Sequence, residues 1–215
     1  MLFGFIKRPD LQQNTEVLPS AYRSLGIFIS KLPSSFSIDV LSQLAATTRD
    51  EMAQLLQQQS LQLLCWYSYI VQGFVKKFNQ EQLYPFSAFF ELLTATLELI
   101  NSTNADVSQN EYLLFTLALL IMKSDPQVSN PFIPRLLNIA KASFEKNNPL
   151  TIETTALMVG DIYKVFGLQL LDTIPEMIQL LYESLSSHLQ NENIIAQILF
   201  ATSRMISYGF LDAYR

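Results

Sequence analysis

Apolar residues recur along most of this chain at intervals of three and four, the spacing of a helix with one buried face. The clearest stretch runs from Thr151 to Ser187. In its first half Ile152, Ala156, Val159, Ile162, Tyr163 and Phe166 fall on one side. Gly167 is expected to end that helix, because glycine takes the left-handed conformation at little steric cost. A second helix starts within a few residues, and so short a link predicts an antiparallel pair. Steps of 100° put Leu170, Ile174, Met177, Ile178, Leu181 and Leu185 on one side of it. Asp172, Glu176, Gln179 and Glu183 fall together on the other. Pro175 removes a backbone donor there and predicts a bend or a late start.

The pattern recurs. Leu18, Tyr22, Leu25, Phe28 and Ile29 form a stripe on one first helix, and Leu64, Tyr67, Val71, Phe74 and Phe78 form one on the next. Their partners are expected over Ser37–Gln58 and from about Leu83, the latter with Phe86, Phe89, Phe90, Leu93 and Leu97 inward and Ser87, Glu91, Thr94 and Glu98 opposite. Tyr112 to Met122 is apolar nearly all round, as suits a helix flanked on several sides. First helices are expected to end at Leu32, Asn79, Ser124, Phe166 and Tyr208, at spacings of 47, 45, 42 and 42 residues. A two-helix unit of about 40–47 residues is the HEAT-type period. The expected fold is all-α, an α-solenoid of HEAT-like antiparallel pairs over 17–58, 59–102, 107–147 and 149–189, with a partial unit at 190–215. In that last unit Ile195, Ile198, Leu199, Thr202 and Met205 share a face. With no partner helix, the face is expected to be more exposed than the one around Ile162. MLFGFI at the start fits the tail of a helix from a preceding unit.

Composition narrows the function. A chain of 215 residues that is 49% hydrophobic has enough apolar material for a sizeable core, and nine prolines and six glycines leave no long flexible linker. The net charge of −5 and pI near 4.9 argue against a nucleic-acid binder and favour basic partners. One cysteine, Cys65, excludes an intramolecular disulfide and fits a reducing compartment. The run Tyr112–Met122 is too short to insert across a membrane.

No constellation for catalysis stands out. There is no phosphate-binding loop and no Gly-x-Ser-x-Gly elbow. His188 is alone, which leaves a metal site short of ligands, and no cofactor motif appears. Cys65 beside Trp66 reads as a buried small hydrophobe. Asp161 and Glu153 lack the arrangement of an acid/base pair. The remaining candidates are Glu91, Glu98, Asp172, Glu176 and Glu183, carboxylates on the outer faces of second helices. They form either an anionic surface for Lys/Arg-rich segments or simply a solvated face, and Arg135 and Lys141 interrupt them. Of the many phenylalanines (Phe86, Phe89, Phe90, Phe115, Phe144, Phe166) most are expected in the core.

ALMVGDIYKVFG followed by IPEMIQLLYESLSS resembles a middle-to-C-terminal repeat of the importin-β (karyopherin-β) family of nuclear import receptors. LPSAYRSLGIFI and LQLLCWYSYIVQGFVKKF resemble first helices upstream, in the same order, over roughly residues 18–205. The resemblance implies a non-catalytic transport receptor segment of the cytoplasm, nucleus and nuclear pore, with first helices on a convex side and second helices on a concave side. It implies importin-α or other basic cargo in the groove, Phe-Gly nucleoporins on the outside and Ran-GTP in the full-length receptor. Intact receptors are several times longer, so a fragment or truncated form is expected. Periodicity alone permits another HEAT scaffold, of the adaptor or phosphatase-scaffold type.

Overall fold

The computed structural model describes Gly4 and residues 16–78, 86–105, 107 and 109–211, the final two by backbone alone. The expected helix end at Asn79, the start near Leu83, the remainder of MLFGFI and residues 212–215 lie outside the described residues. Among those described the chain is all-helical, with no strand. Nine helices of the described residues carry the packing: α1 (Leu18–Lys31), α2 (Ile38–Gln57), α3 (Leu61–Lys77), α4 (Phe86–Thr103), α5 (Glu111–Lys123), α6 (Ile133–Lys146), α7 (Pro149–Phe166), α8 (Ile174–Ser187) and α9 (Glu192–Met205). Short turns Pro126–Ser129 and Asn130–Phe132 lead into α6, and a π-helical turn, Ile206–Leu211, follows α9.

Local chemistry sets these boundaries. Proline stands at the first or second position of α1, α6, α7 and α8, where its missing N–H leaves no bond unmade. Asn148 and Asn191 accept hydrogen bonds from Leu150 N–H (3.0 Å) and Ile194 N–H (3.3 Å), capping α7 and α9. Asn147 closes α6 in the left-handed conformation, with φ of 52°. Gly167 does not. Its φ of −48° is right-handed, and the chain continues through 3₁₀ turns to a late start of α8, with Pro175 in its first turn. Glycine is needed at 167 for a different reason: a Cβ there would strike the carbonyl of Tyr208.

The most extensive packing joins alternate helices, those expected as first helices: α1 on α3, α3 on α5, α5 on α7 and α7 on α9. A second row runs α2, α4, α6, α8. Each second helix also packs on the next first helix, as α2 on α3 and α6 on α7. Neither α1 nor α2 packs extensively on α9. Small residues permit the closest approaches. Gly26 of α1 lies against the backbone of α3 at Tyr69, Gly73 lies against Gly26, and the Cβ position of Gly160 is 3.2 Å from Ala201 Cα. Polar groups about one period apart tie α3 to its neighbours α1 and α5. Gln72 donates to Thr116 (3.0 Å), Trp66 to Gln109 (3.1 Å) and Lys77 to the Leu32 carbonyl (2.6 Å), over separations of 43 to 45 residues.

The core is built from the expected faces. The stripes of α3, α4 and α7 are buried throughout, and Phe74, Phe78, Phe86 and Phe89 pack ring against ring at 6.0–6.5 Å. Each such buried ring contributes about 1.5–3 kcal/mol of transfer free energy. Phe28, Thr94 and the α9 face depart. Phe28 is 50% exposed, because it points about 60° beyond Leu25 and away from α3, the helix on which α1 packs. Thr94 is fully buried, since α2, α3, α5 and α6 all press on α4. In α9 the buried stripe is Ile194, Ile198, Ala201 and Met205, turned by the contact between Ala201 and Gly160. Leu199 is therefore 56% exposed as expected of an open end, but Ile198 and Met205 are not.

Candidate functional site

The second helices place the acidic candidates, and α6 reaches to them. Arg135 donates to both Glu98 oxygens (2.8 and 2.7 Å) and to Glu91 (2.6 Å). Lys141 donates to Glu176 (2.6 Å). The two cations that interrupt the acidic stripe thus pair with three of its members. Arg135 holds the Glu98 carboxyl below its ordinary value, despite some opposing desolvation, and Glu98 in turn raises that of Arg135. Asp172 and Glu183 are exposed. Asp172 belongs to the 3₁₀ turn Leu171–Thr173 rather than to α8, so a shared α-helical face does not align it with Glu176. Glu183 accepts from Gln179 (2.9 Å). The stripe is a set of cross-helix struts, with exposed carboxylates at one end.

A different surface is concave and aromatic. Across the first-helix row a cleft of about 390 Å³ opens between α1, α3 and α5, touching α7 at Thr154. Helical spacing builds its walls: Arg23, Ile27 and Ser30 on α1, and Tyr69, Gln72 and Lys76 on α3, recur every three or four residues and share one face each. Tyr112 and Phe115 of α5 complete it. The Tyr69 and Tyr112 rings lie 4.6 Å apart, and burial raises the Tyr69 hydroxyl above its usual range. Most wall polar groups are satisfied internally. Gln72 donates to Thr116, whose hydroxyl donates to the Tyr112 carbonyl (2.6 Å), and Ser30 donates to the Ile27 carbonyl (2.7 Å). What remains toward solvent is aromatic and aliphatic surface with Arg23, Lys76 and Glu111 around it. Such a lining suits an aromatic or aliphatic side chain on a peptide.

Phe115 is the one expected core phenylalanine that lines this cleft; Phe86, Phe89, Phe90, Phe144 and Phe166 are all buried. Tyr69, Gln72 and Lys76 form a second stripe on α3, offset from the Leu64–Phe78 stripe. That second stripe is the sequence signal that hydrophobic periodicity passes over.

Cys65 is fully buried, and desolvation pushes its thiol up to about 12. His188 caps α8, with Nδ1 3.0 Å from the Ser184 carbonyl. Asp161 does have a partner, Arg204 of α9, which its sequence neighbours do not reveal. Among the described residues no group of three or more His, Cys, Asp or Glu side chains is placed to hold a metal, and no helix is long and apolar enough to cross a membrane. No family model matches the chain, nor does any curated protein or solved structure.

Proposed function

We propose that the chain is a segment of a HEAT-like helical solenoid that binds protein segments without catalysis, in the manner of a karyopherin-β nuclear transport receptor shuttling between cytoplasm and nucleus. The solenoid reading draws on the order of packing, first helix on first helix and second on second, with polar ties about one period long. The observation that carries the functional reading is the aromatic cleft between α1, α3 and α5. It lies on the outer row of the expected receptor, where a phenylalanine of a Phe-Gly nucleoporin segment would dock between neighbouring first helices. Tyr69, Tyr112 and Phe115 supply the apolar walls. The second-helix row then serves the basic partner, an importin-α-type helix or basic cargo. Asp172 and Glu183 are its available carboxylates, while Glu91, Glu98 and Glu176 reach a ligand by exchanging their bonds to Arg135 and Lys141.

A fluorescent Phe-Gly repeat peptide tests this reading against that of another HEAT scaffold. Weak, saturable binding that is lost in a Tyr112→Ala/Phe115→Ala variant of unchanged helicity is expected. Absence of binding, or binding indifferent to those substitutions, overturns it.

A further inference from the structure

The cleft is charged as well as aromatic, and its charge is opposite to that of the protein. Two exposed cations, Arg23 of α1 and Lys76 of α3, line it in a chain of net charge −5, and neither makes an ion pair among the described residues. Elsewhere Arg135, Lys141 and Arg204 each pair with a carboxylate and Lys77 donates to a backbone carbonyl, whereas Lys31, Lys123 and Lys164 make no ion pair among the described residues and do not line this cleft. Among the described residues no ion pair accounts for the position of Arg23 and Lys76 at an apolar opening.

Their spacing also matters. Tyr69 and Lys76 are seven residues apart on α3, so this wall runs about 10 Å, enough for an aromatic residue and its immediate neighbours. Of the carboxylates, Glu111 lines the cleft; it and Arg23 both act on Tyr69, at one end. Lys76 lies beyond it, two turns along. Glu111 is also partly desolvated, which raises its carboxyl.

We propose that this cleft selects peptide segments in which an aromatic anchor is flanked by aspartate or glutamate, with Tyr69, Tyr112 and Phe115 taking the ring and Arg23 and Lys76 taking the carboxylates. The proposal rests on the protein-binding reading of the cleft and adds the charge of the partner. It gives the two rows opposite preferences: acidic aromatic segments on the first-helix row, basic segments on the second-helix row.

Three peptides sharing one Phe-Gly core, flanked by aspartates, serines or lysines, test the proposal by fluorescence anisotropy at low and high salt. The aspartate-flanked peptide is expected to bind roughly three- to twenty-fold more tightly than the serine-flanked one at low salt, as two solvent-exposed pairs allow. The lysine-flanked peptide should be weakest, and 0.5 M salt, used here as a screening condition of about 4 Å Debye length, should compress the differences. In an Arg23→Ala/Lys76→Ala variant the preference for aspartate over serine flanks should fall to about one-fold. Equal binding of the aspartate and serine peptides overturns the charge proposal and leaves the Phe-Gly reading standing. A preference that survives in the double-alanine variant also overturns it. An aspartate-rich peptide that binds equally well with its phenylalanine replaced by serine removes the aromatic anchor, and failure of every peptide removes both readings.

Discussion

Arg204 of α9 pairs with Asp161 of α7, its guanidinium also lying 3.9 Å over the ring of Phe200. The two side chains are only 17% and 9% exposed, so the pair is largely withdrawn from water. Burial raises the Asp161 carboxyl more than Arg204 lowers it, so desolvation outweighs the attraction as far as the carboxylate is concerned. Removing one partner therefore leaves a desolvated charge. Asp161→Ala is expected to cost about 3 kcal/mol, and Asp161→Leu/Arg204→Met much less than the sum of its single changes. Urea denaturation of the four proteins measures the coupling. Additive losses would mean that the pair is not a unit.

Glycine at a helix interior ordinarily costs about 1 kcal/mol relative to alanine, so Gly→Ala should stabilise an open helix. At Gly73 the sign reverses. The added methyl would meet the Gly26 backbone, which cannot move without separating α1 from α3. Gly73→Ala is expected to lose about 1–3 kcal/mol, and Gly160→Ala less, since its nearest neighbours are Ala201 Cα at 3.2 Å and the flexible Arg204 chain at 3.4 Å. Thermal melting of both variants checks the order. A stabilised Gly73→Ala protein would refute the close contact.

What the sequence makes legible follows from how local each cause is. The α7 face from Ile152 to Phe166 is buried as its spacing predicts, because a single helix carries that information. Phe28 departs, and Ile198 and Met205 are buried where an open face was expected, because the width of a buried stripe depends on which neighbours press on it, and Ala201 against Gly160 sets the rotation of α9. Gly167 reads as a left-handed cap, yet what requires glycine is Tyr208, 41 residues downstream. The acidic stripe and its interrupting cations are visible at helical spacing. That Arg135 bridges Glu91 and Glu98 takes the juxtaposition of α4 and α6. The cleft needs three helices at once, and no single stretch of chain contains it.

Cys65 supplies a probe of opening. With its side chain fully buried and its thiol pushed up to about 12, almost no thiolate exists at pH 8 in the folded protein. Iodoacetamide labelling followed by mass spectrometry should be slow without denaturant and rapid in urea above the unfolding midpoint. Rapid labelling under native conditions would show that α3 opens readily.

The Arg135 strut should respond to acid. Folding lowers the Glu98 value below the ordinary 4.5, so its contribution is complete above that pH and is lost as the pH falls through the lowered value. Both carboxylates are well exposed, so Arg135→Met should cost only about 0.5–1.5 kcal/mol at pH 7. The gap between parent and variant should narrow from pH 5 to pH 3 in urea melts. A gap independent of pH would mean that the ion pairs add nothing to the aliphatic contacts of the Arg135 stem.

Amide hydrogen exchange with and without a Phe-Gly repeat peptide tests the central claim most directly, because it reads both the binding and its place. Added protection is expected to gather on residues 23–30 of α1, 69–76 of α3 and 111–115 of α5, with α8 and α9 unchanged. Protection confined to the second helices, or none at saturating peptide, would contradict the assignment of the first-helix cleft as the site where this chain takes its partner.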